Sequence, residues 1–317
     1  MAATISARWI EGGQLRSDGL EGIPADVVTP VWIDICDPDE AAFAAVSRRF
    51  PLPPLAVEDC LHAPQRPKLD TYSDVSFLIW LVPQISEGRV VATRELDVFL
   101  GEEHLITAHQ GPLEAVERVA AYAGGHLGRG VEWTLHAILD DSVDEFFPVL
   151  DGIADRLEDL EDLMLSDAQS DHLHDLYRER RALVTMHKIL GPERDVVRGL
   201  ARLEAFVEPD AYMYFQDIGD HLARAADQVD TYREVASGTM DIYLSAQSNR
   251  MNLVMKQLTV VATIFMPLTL ISGIYGMNVL VGMWPPADAP WSFAAIMAAM
   301  VLIALWMIWY FRRRAWW

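Results

Sequence analysis

The chain has 317 residues, enough for a substantial buried core, and carries 46 Asp plus Glu against 25 Lys plus Arg for a formal net charge of −21. That sign argues against a nucleic-acid partner, because phosphate backbones are bound by the opposite charge. Cys36 and Cys60 form neither a disulfide framework nor a metal-ligand spacing, and read as reduced cytosolic thiols. An acidic surface either attracts divalent cations or simply keeps a protein soluble.

In chain order, the first residues lack the charged, apolar and small-residue succession of a signal peptide, so the large N-terminal part is expected to stay in the cytoplasm. Residues 29–35, 75–82, 96–100 and 104–108 read as short strands, and 41–50, 53–61 and 112–122 as helices among them. Together they predict a mixed α/β domain over 1–133. From Thr134 strand patterns cease. Residues 151–164 and 171–188 read as two charged helices joined near Ser166 and Asp167, an antiparallel hairpin within 134–208. Its acidic stretch, Glu158, Asp159, Glu161 and Asp162, reads as a solvated face.

After Pro209 no proline occurs until Pro267, and Tyr214, Ile218, Leu222, Ala225, Val229 and Tyr232 recur at helical spacing. This predicts one helix of about 65 residues from near Ala211, roughly 100 Å long, running through a segment at 209–278. So small a chain is not expected to cover that stripe, which predicts packing against identical helices around an axis.

No residue from 257 to 287 is charged, and 258–278 is long and apolar enough to span a bilayer; 291–311 supplies a second span. Between them, 279–290 contains Pro285, Pro286 and Pro290 and reads as an external loop. Arg250 and Lys256 precede the first span, and Arg312, Arg313 and Arg314 begin a basic tail at 312–317. The bias of basic residues therefore places both termini in the cytoplasm. Trp284 and Trp291 at one end, and Trp309, Tyr310, Trp316 and Trp317 at the other, fit aromatic belts.

Within the first span, Asn252, Thr259, Ala262, Thr269 and Gly273, interleaved with Met255, Leu258 and Met266, fall at spacings of three and four on one face. Small and weakly polar side chains on one stripe suit a narrow path along a bundle axis, and equally suit close helix packing. At the outer end stands Tyr275-Gly276-Met277-Asn278. Asn278 there reads either as a helix C-cap or as a polar ring at a channel mouth.

With residues 263–274 before it, a proline-free helix upstream and a second span downstream, this motif resembles the Gly-Met-Asn signature of the CorA family of magnesium and cobalt channels. The resemblance extends to residues 57–59 and 214–217, and so over most of the chain. It implies an α+β membrane protein: an N-terminal cytoplasmic α/β domain, a helical hairpin, and a very long stalk helix continuing into the first of two transmembrane helices. It also implies a funnel-shaped homopentamer in the inner or plasma membrane. Asn252, Thr269, Gly273 and Asn278 match polar or small pore positions of the family, and Met255, Leu258 and Met266 its hydrophobic constriction.

Magnesium releases its water reluctantly, so a ring of Asn278 amide oxygens would recognise the hydrated ion without a charge that traps it. Gly276 is expected to allow the tight turn that presents the ring. Glu58, Asp59, Asp140 and Asp217 match the family's acidic positions. In relatives these meet between neighbouring subunits, so that bound magnesium bridges carboxylates that otherwise repel. The loop departs from many relatives in having only Asp288 as a carboxylate, which leaves cation capture to the Asn278 ring and Asp288.

Three functions are compatible with this pattern. The first is a channel for magnesium, and for cobalt or nickel, gated by cytoplasmic magnesium. The second is a ZntB-like transporter of zinc or another transition metal; Met277 leans away from it, because such relatives usually vary the middle residue. The third is a membrane-anchored signalling or interaction protein. No cofactor and no catalytic set is expected. His172 and His174, two apart on a predicted helix, lie on different faces, and no glycine-rich phosphate loop occurs.

Overall fold

The computed structural model describes residues 3–24, 29–62, 64–86, 90–166, 170–203, 206–277, 284–286, 289–314 and 316. The chain divides into two compact units, Met1–Met240 and Asp241–Trp317.

The first unit is built on a seven-stranded sheet in the order β2-β1-β3-β7-β6-β5-β4. Its strands are β1 (Thr4–Glu11), β2 (Gln14–Asp18), β3 (Val31–Cys36), β4 (Lys68–Thr71), β5 (Ser76–Ser86), β6 (Val90–Leu100) and β7 (His104–His109). Only β3 and β7 run parallel, with Ile33 opposite Ile106; the other neighbours are antiparallel. β3, β5, β6 and β7 match the sequence expectation in position. β1, β2 and β4 had no apolar run to announce them: β2 is exposed throughout and β4 is only half-buried.

Helices cover both faces of the sheet. On one side lie α1 (Glu40–Ser47) and α2 (Pro54–Leu61), whose Phe43, Val46, Ala56 and Cys60 pack on Ile33, Ile35, Phe77, Ile79 and Phe99. Asp39 caps α1 by accepting a hydrogen bond from the Ala42 amide at 2.7 Å. On the other side lie α3 (Glu114–Ala121), α4 (Ala123–Leu127), α5 (Val131–Asp144), α6 (Phe146–Ser166) and α7 (Ser170–Leu200). There Trp80, fully buried on β5, donates its indole N–H to the Ser142 hydroxyl at 2.8 Å. In the α6–α7 pair, Ile153, Leu157, Leu160 and Met164 form a buried stripe, and Arg156 grips the buried Glu179 with two bonds of 2.8 and 2.9 Å.

One buried acid ties α7 to the sheet. β4 pairs with β5 only as far as Ile79, so the Leu81 N–H on that edge has no ladder partner. Glu193 of α7 accepts it at 3.1 Å. Two residues on, Pro83 points the same way and has no N–H to satisfy. Burial pushes the Glu193 carboxyl well above the usual carboxylate range, and its second oxygen has no hydrogen-bond partner.

A single helix, α8 (Tyr212–Tyr275), is 64 residues long, and α9 (Ser292–Arg313) has 22. The sequence expectation about the stripe on α8 needs correction. Phe215, Ile218, Leu222, Ala225 and Val229 are fully buried inside one chain, where Gly219 lets α8 approach Val197 of α7. The amphipathic face is thus covered without a second copy. Tyr214, Val235 and Leu244 remain exposed.

Candidate functional site

In the second unit, the C-terminal part of α8 and the whole of α9 are long and apolar enough to cross a membrane. They pack on each other through Val260 and Ile264 against Phe311, with Leu268, Ala304, Met307 and Ile308 around them. Val260, Ile264 and Leu268 recur every four residues and define the α9-facing side of α8. At 100° per residue, Ala262 and Met266 lie roughly 200° from Ile264. Leu258, Thr269 and Gly273 share that far side with them, and Met255 and Asn252 continue it towards the N-terminus. All seven are exposed, Met266 at 71% and Leu258 at 61%, and a side chain at Gly273 would meet nothing. The stripe is therefore not the surface on which this chain packs its own second span.

The hydroxyls of the span are satisfied locally. Thr259 donates to the Met255 carbonyl at 2.7 Å and Thr269 to the Phe265 carbonyl at 2.8 Å, so neither needs water or a partner to sit in an apolar layer. Beyond Tyr275 the helix closes with Gly276 N–H on Ser272 and Met277 N–H on Ile274. Gly276 stands in the turn that follows the helix, without a left-handed backbone. What it does is approach the Ser272 carbonyl so closely that a Cβ would stand 3.0 Å from that oxygen. The Tyr275 hydroxyl donates to the Trp284 carbonyl at 2.9 Å, and Trp284 meets Trp291 edge to face. Asn278 and Asp288 lie outside the described residues. At the other end, Lys256 lies over Trp316, Arg313 over Trp309 and Arg314 over Tyr310.

The four acidic positions of the first unit fall into two groups. On α2, Ala56 and Cys60 point inward, which turns Glu58 outward and leaves Asp59 at the rim. There Asp59 pairs with Lys68 at 2.8 Å, and Lys68 also holds Asp70 at 2.5 Å. Behind this pair sit Glu95 and Asp97 of β6 against Cys60. Burial holds Asp97 well above its usual range and pushes the Cys60 thiol up as well. The second group is Asp140 on α5 and Asp217 on α8, which both approach His221, at 3.9 and 3.8 Å. Burial raises the Asp140 carboxyl, an effect that the nearby His136 opposes. His136 itself, among Trp133, Tyr214 and Phe215, is lowered by burial.

The fold thus brings Asp140 and Asp217 together, pairs Asp59 with Lys68 and leaves Glu58 turned outward. Among the described residues, no group of three or more His, Cys, Asp or Glu within one chain is arranged to hold a metal ion. Sequence reasoning missed Lys68 and His221. Only His221 carried a signal, its position four residues after Asp217 on a helix.

A mixed-sheet domain followed by a helical hairpin, and a 64-residue helix whose end is the first of two apolar C-terminal helices, define a two-span membrane protein of metal-ion transporter architecture. The model of the family described as CorA-like Mg2+ transporter protein matches residues 29–313, and the chain belongs to that family. It is 32% identical over 298 residues to the cobalt/magnesium transport protein CorA of Thermotoga maritima, covering 92% of this chain and 84% of that one. It is 31% identical over 316 residues to the putative metal ion transporter YfjQ of Bacillus subtilis, covering 98% of each. The solved CorA magnesium transporter of Methanocaldococcus jannaschii superposes with a TM-score of 0.86 at 28% identity, covering 100% of this chain and 99% of that one.

Proposed function

We propose that this protein is a magnesium channel, also passing cobalt and nickel, that assembles as a homopentamer in the inner or plasma membrane with both termini in the cytoplasm. It is a conduit and not an enzyme. The observation that carries this reading is the stripe of Asn252, Met255, Leu258, Ala262, Met266, Thr269 and Gly273 on the exposed face of α8 turned away from Val260 and Ile264. Five such stripes around an axis would enclose a path of small, weakly polar and apolar rings. The Met255, Leu258 and Met266 rings would close it by dewetting and open it when the helices move apart. Gly276, Met277 and Asn278 would form the outer mouth, where the amide ring accepts hydrogen bonds from the waters of a hydrated ion.

Regulation follows from the acidic positions. The Glu58–Asp59 group and the Asp140–Asp217 group are separate within a chain, which supports their meeting across a subunit boundary. Cytoplasmic magnesium bound between them would bridge neighbouring subunits and hold the path closed, and its loss would leave repelling carboxylates that loosen the ring.

The test is uptake of magnesium, cobalt and zinc into liposomes carrying the purified protein, with Asn278→Ala alongside and magnesium varied on the cytoplasmic side. Magnesium flux that this substitution abolishes, and that cytoplasmic magnesium suppresses, is expected. Zinc flux alone would reassign the protein to transition-metal transport, and no flux of any ion would leave a membrane anchor.

A further inference from the structure

We propose that the cleft between the end of α7 and the start of α8 binds a phosphate-bearing anion. It is a cavity of about 370 Å³, walled by Arg194, Arg198 and Arg202 on one side and by Tyr212, Gln216 and Asp220 on the other. In a chain with nearly twice as many acids as bases, three guanidiniums facing one carboxylate among the described residues are a local reversal of sign. Arg198 has a neighbour in Asp195 at 3.6 Å, whereas Arg194 and Arg202 have no ion-pair partner among the described residues.

A cation in the last turn of a helix is ordinarily explained by the helix dipole, and Arg198 fits that explanation. Arg194 does not, because it lies six residues before the end of α7, with its side chain on the same wall. The positive start of α8 and the negative end of α7 largely offset each other across the cleft, so the arginines decide its field. The floor is apolar and rigid: Phe215 is fully buried, and Val197 nearly so. The opposite wall adds neutral donors. Gln216 donates one amide hydrogen to the Tyr212 hydroxyl at 2.9 Å, leaving the second amide hydrogen and the phenolic hydrogen for a ligand.

Guanidinium forks match phosphate oxygens two at a time, and three of them around one cavity suit a di- or triphosphate better than a single carboxylate. The volume lies within the range of small-ligand pockets and admits a polyphosphate with part of a nucleoside attached. The source of the phosphate, inorganic or nucleotide, is decided by the test.

Full-length protein in detergent is titrated calorimetrically with inorganic pyrophosphate and, separately, with a nucleoside triphosphate, both free of magnesium. Saturable binding is expected, weakening with added salt. Arg194→Gln and Arg202→Gln should each weaken it at least tenfold with unchanged melting temperature, and Asp220→Asn should tighten it. Tighter binding of the nucleoside triphosphate than of inorganic tripolyphosphate, titrated alongside as the chain of equal length, identifies a nucleotide, and equal binding identifies the phosphate chain alone. The absence of saturable binding of any of these compounds at millimolar concentration would overturn the proposal. So would binding indifferent to all three substitutions.

Discussion

The orientation of the first span can be tested two residues apart. Ile264 faces α9 and is 8% exposed, whereas Met266, roughly 200° further round, is 71% exposed. In an otherwise intact protein with Cys36→Ser, single cysteines at 264 and 266 are compared for reaction with a charged thiol-specific reagent in proteoliposomes without cytoplasmic magnesium, where the path is open. Cys60 can stay, because burial against Asp97 and Glu95 holds its thiol protonated. Reaction requires the thiolate, which a water-facing cysteine forms with a pKa of about 8.5. A cysteine packed against Phe311 is shielded from water and from the charged reagent, which lowers its rate about a hundredfold. Met266→Cys should therefore react about a hundred times faster than Ile264→Cys, with Ala262→Cys following Met266→Cys. Equal rates would refute the assignment of faces. A Met266→Cys reactive only towards a lipid-soluble reagent would place the stripe in lipid and remove the basis for a pore.

Three further outcomes follow from the first unit and the span's end. Glu193 is protonated more readily in the fold than in the unfolded chain, so its contribution is fully present below the ordinary carboxylate pKa. Stability then falls by about 1.4 kcal/mol per pH unit as pH rises towards the folded value. Glu193→Gln keeps an acceptor for Leu81, so denaturant melts of the variant should lose that slope and show greater stability at pH 7 than the parent; an unchanged slope would sink the reasoning. Arg156→Ala strands the buried Glu179 carboxylate and should cost about 3 kcal/mol, whereas Arg156→Met with Glu179→Leu should recover most of it in the same melts. Gly276→Ala brings a methyl to 3.0 Å from the Ser272 carbonyl, so the helix end must shift by tenths of an ångström. Loss of flux with unaltered assembly on size exclusion is expected, and wild-type flux would show that the mouth tolerates the shift.

What the sequence alone determined is what period and composition encode. Two uncharged apolar runs and a stretch without proline up to Pro267 predict the two apolar C-terminal helices and the long α8, which runs on through Pro267, because length and hydropathy are local properties. The four apolar strands were legible for the same reason, whereas β2 and β4 take their state from pairing with neighbours and carry little pattern of their own, and β1 offers only the alternation of Ile5, Ala7 and Trp9 with polar residues. The face of α8 that holds the stripe could be read from spacing, but what each face touches could not. Only the packing of Val260 and Ile264 on Phe311 separates the stripe from the surface shared with α9, and only the burial of Ile218 to Val229 shows that α8 is covered within its own chain. His221 beside Asp140, and Glu193 on the open edge of β5, join residues distant in sequence, and Lys68 reaches Asp59 from the neighbouring strand. Charge and hydrogen bonding act through space, so tertiary structure decided those partners.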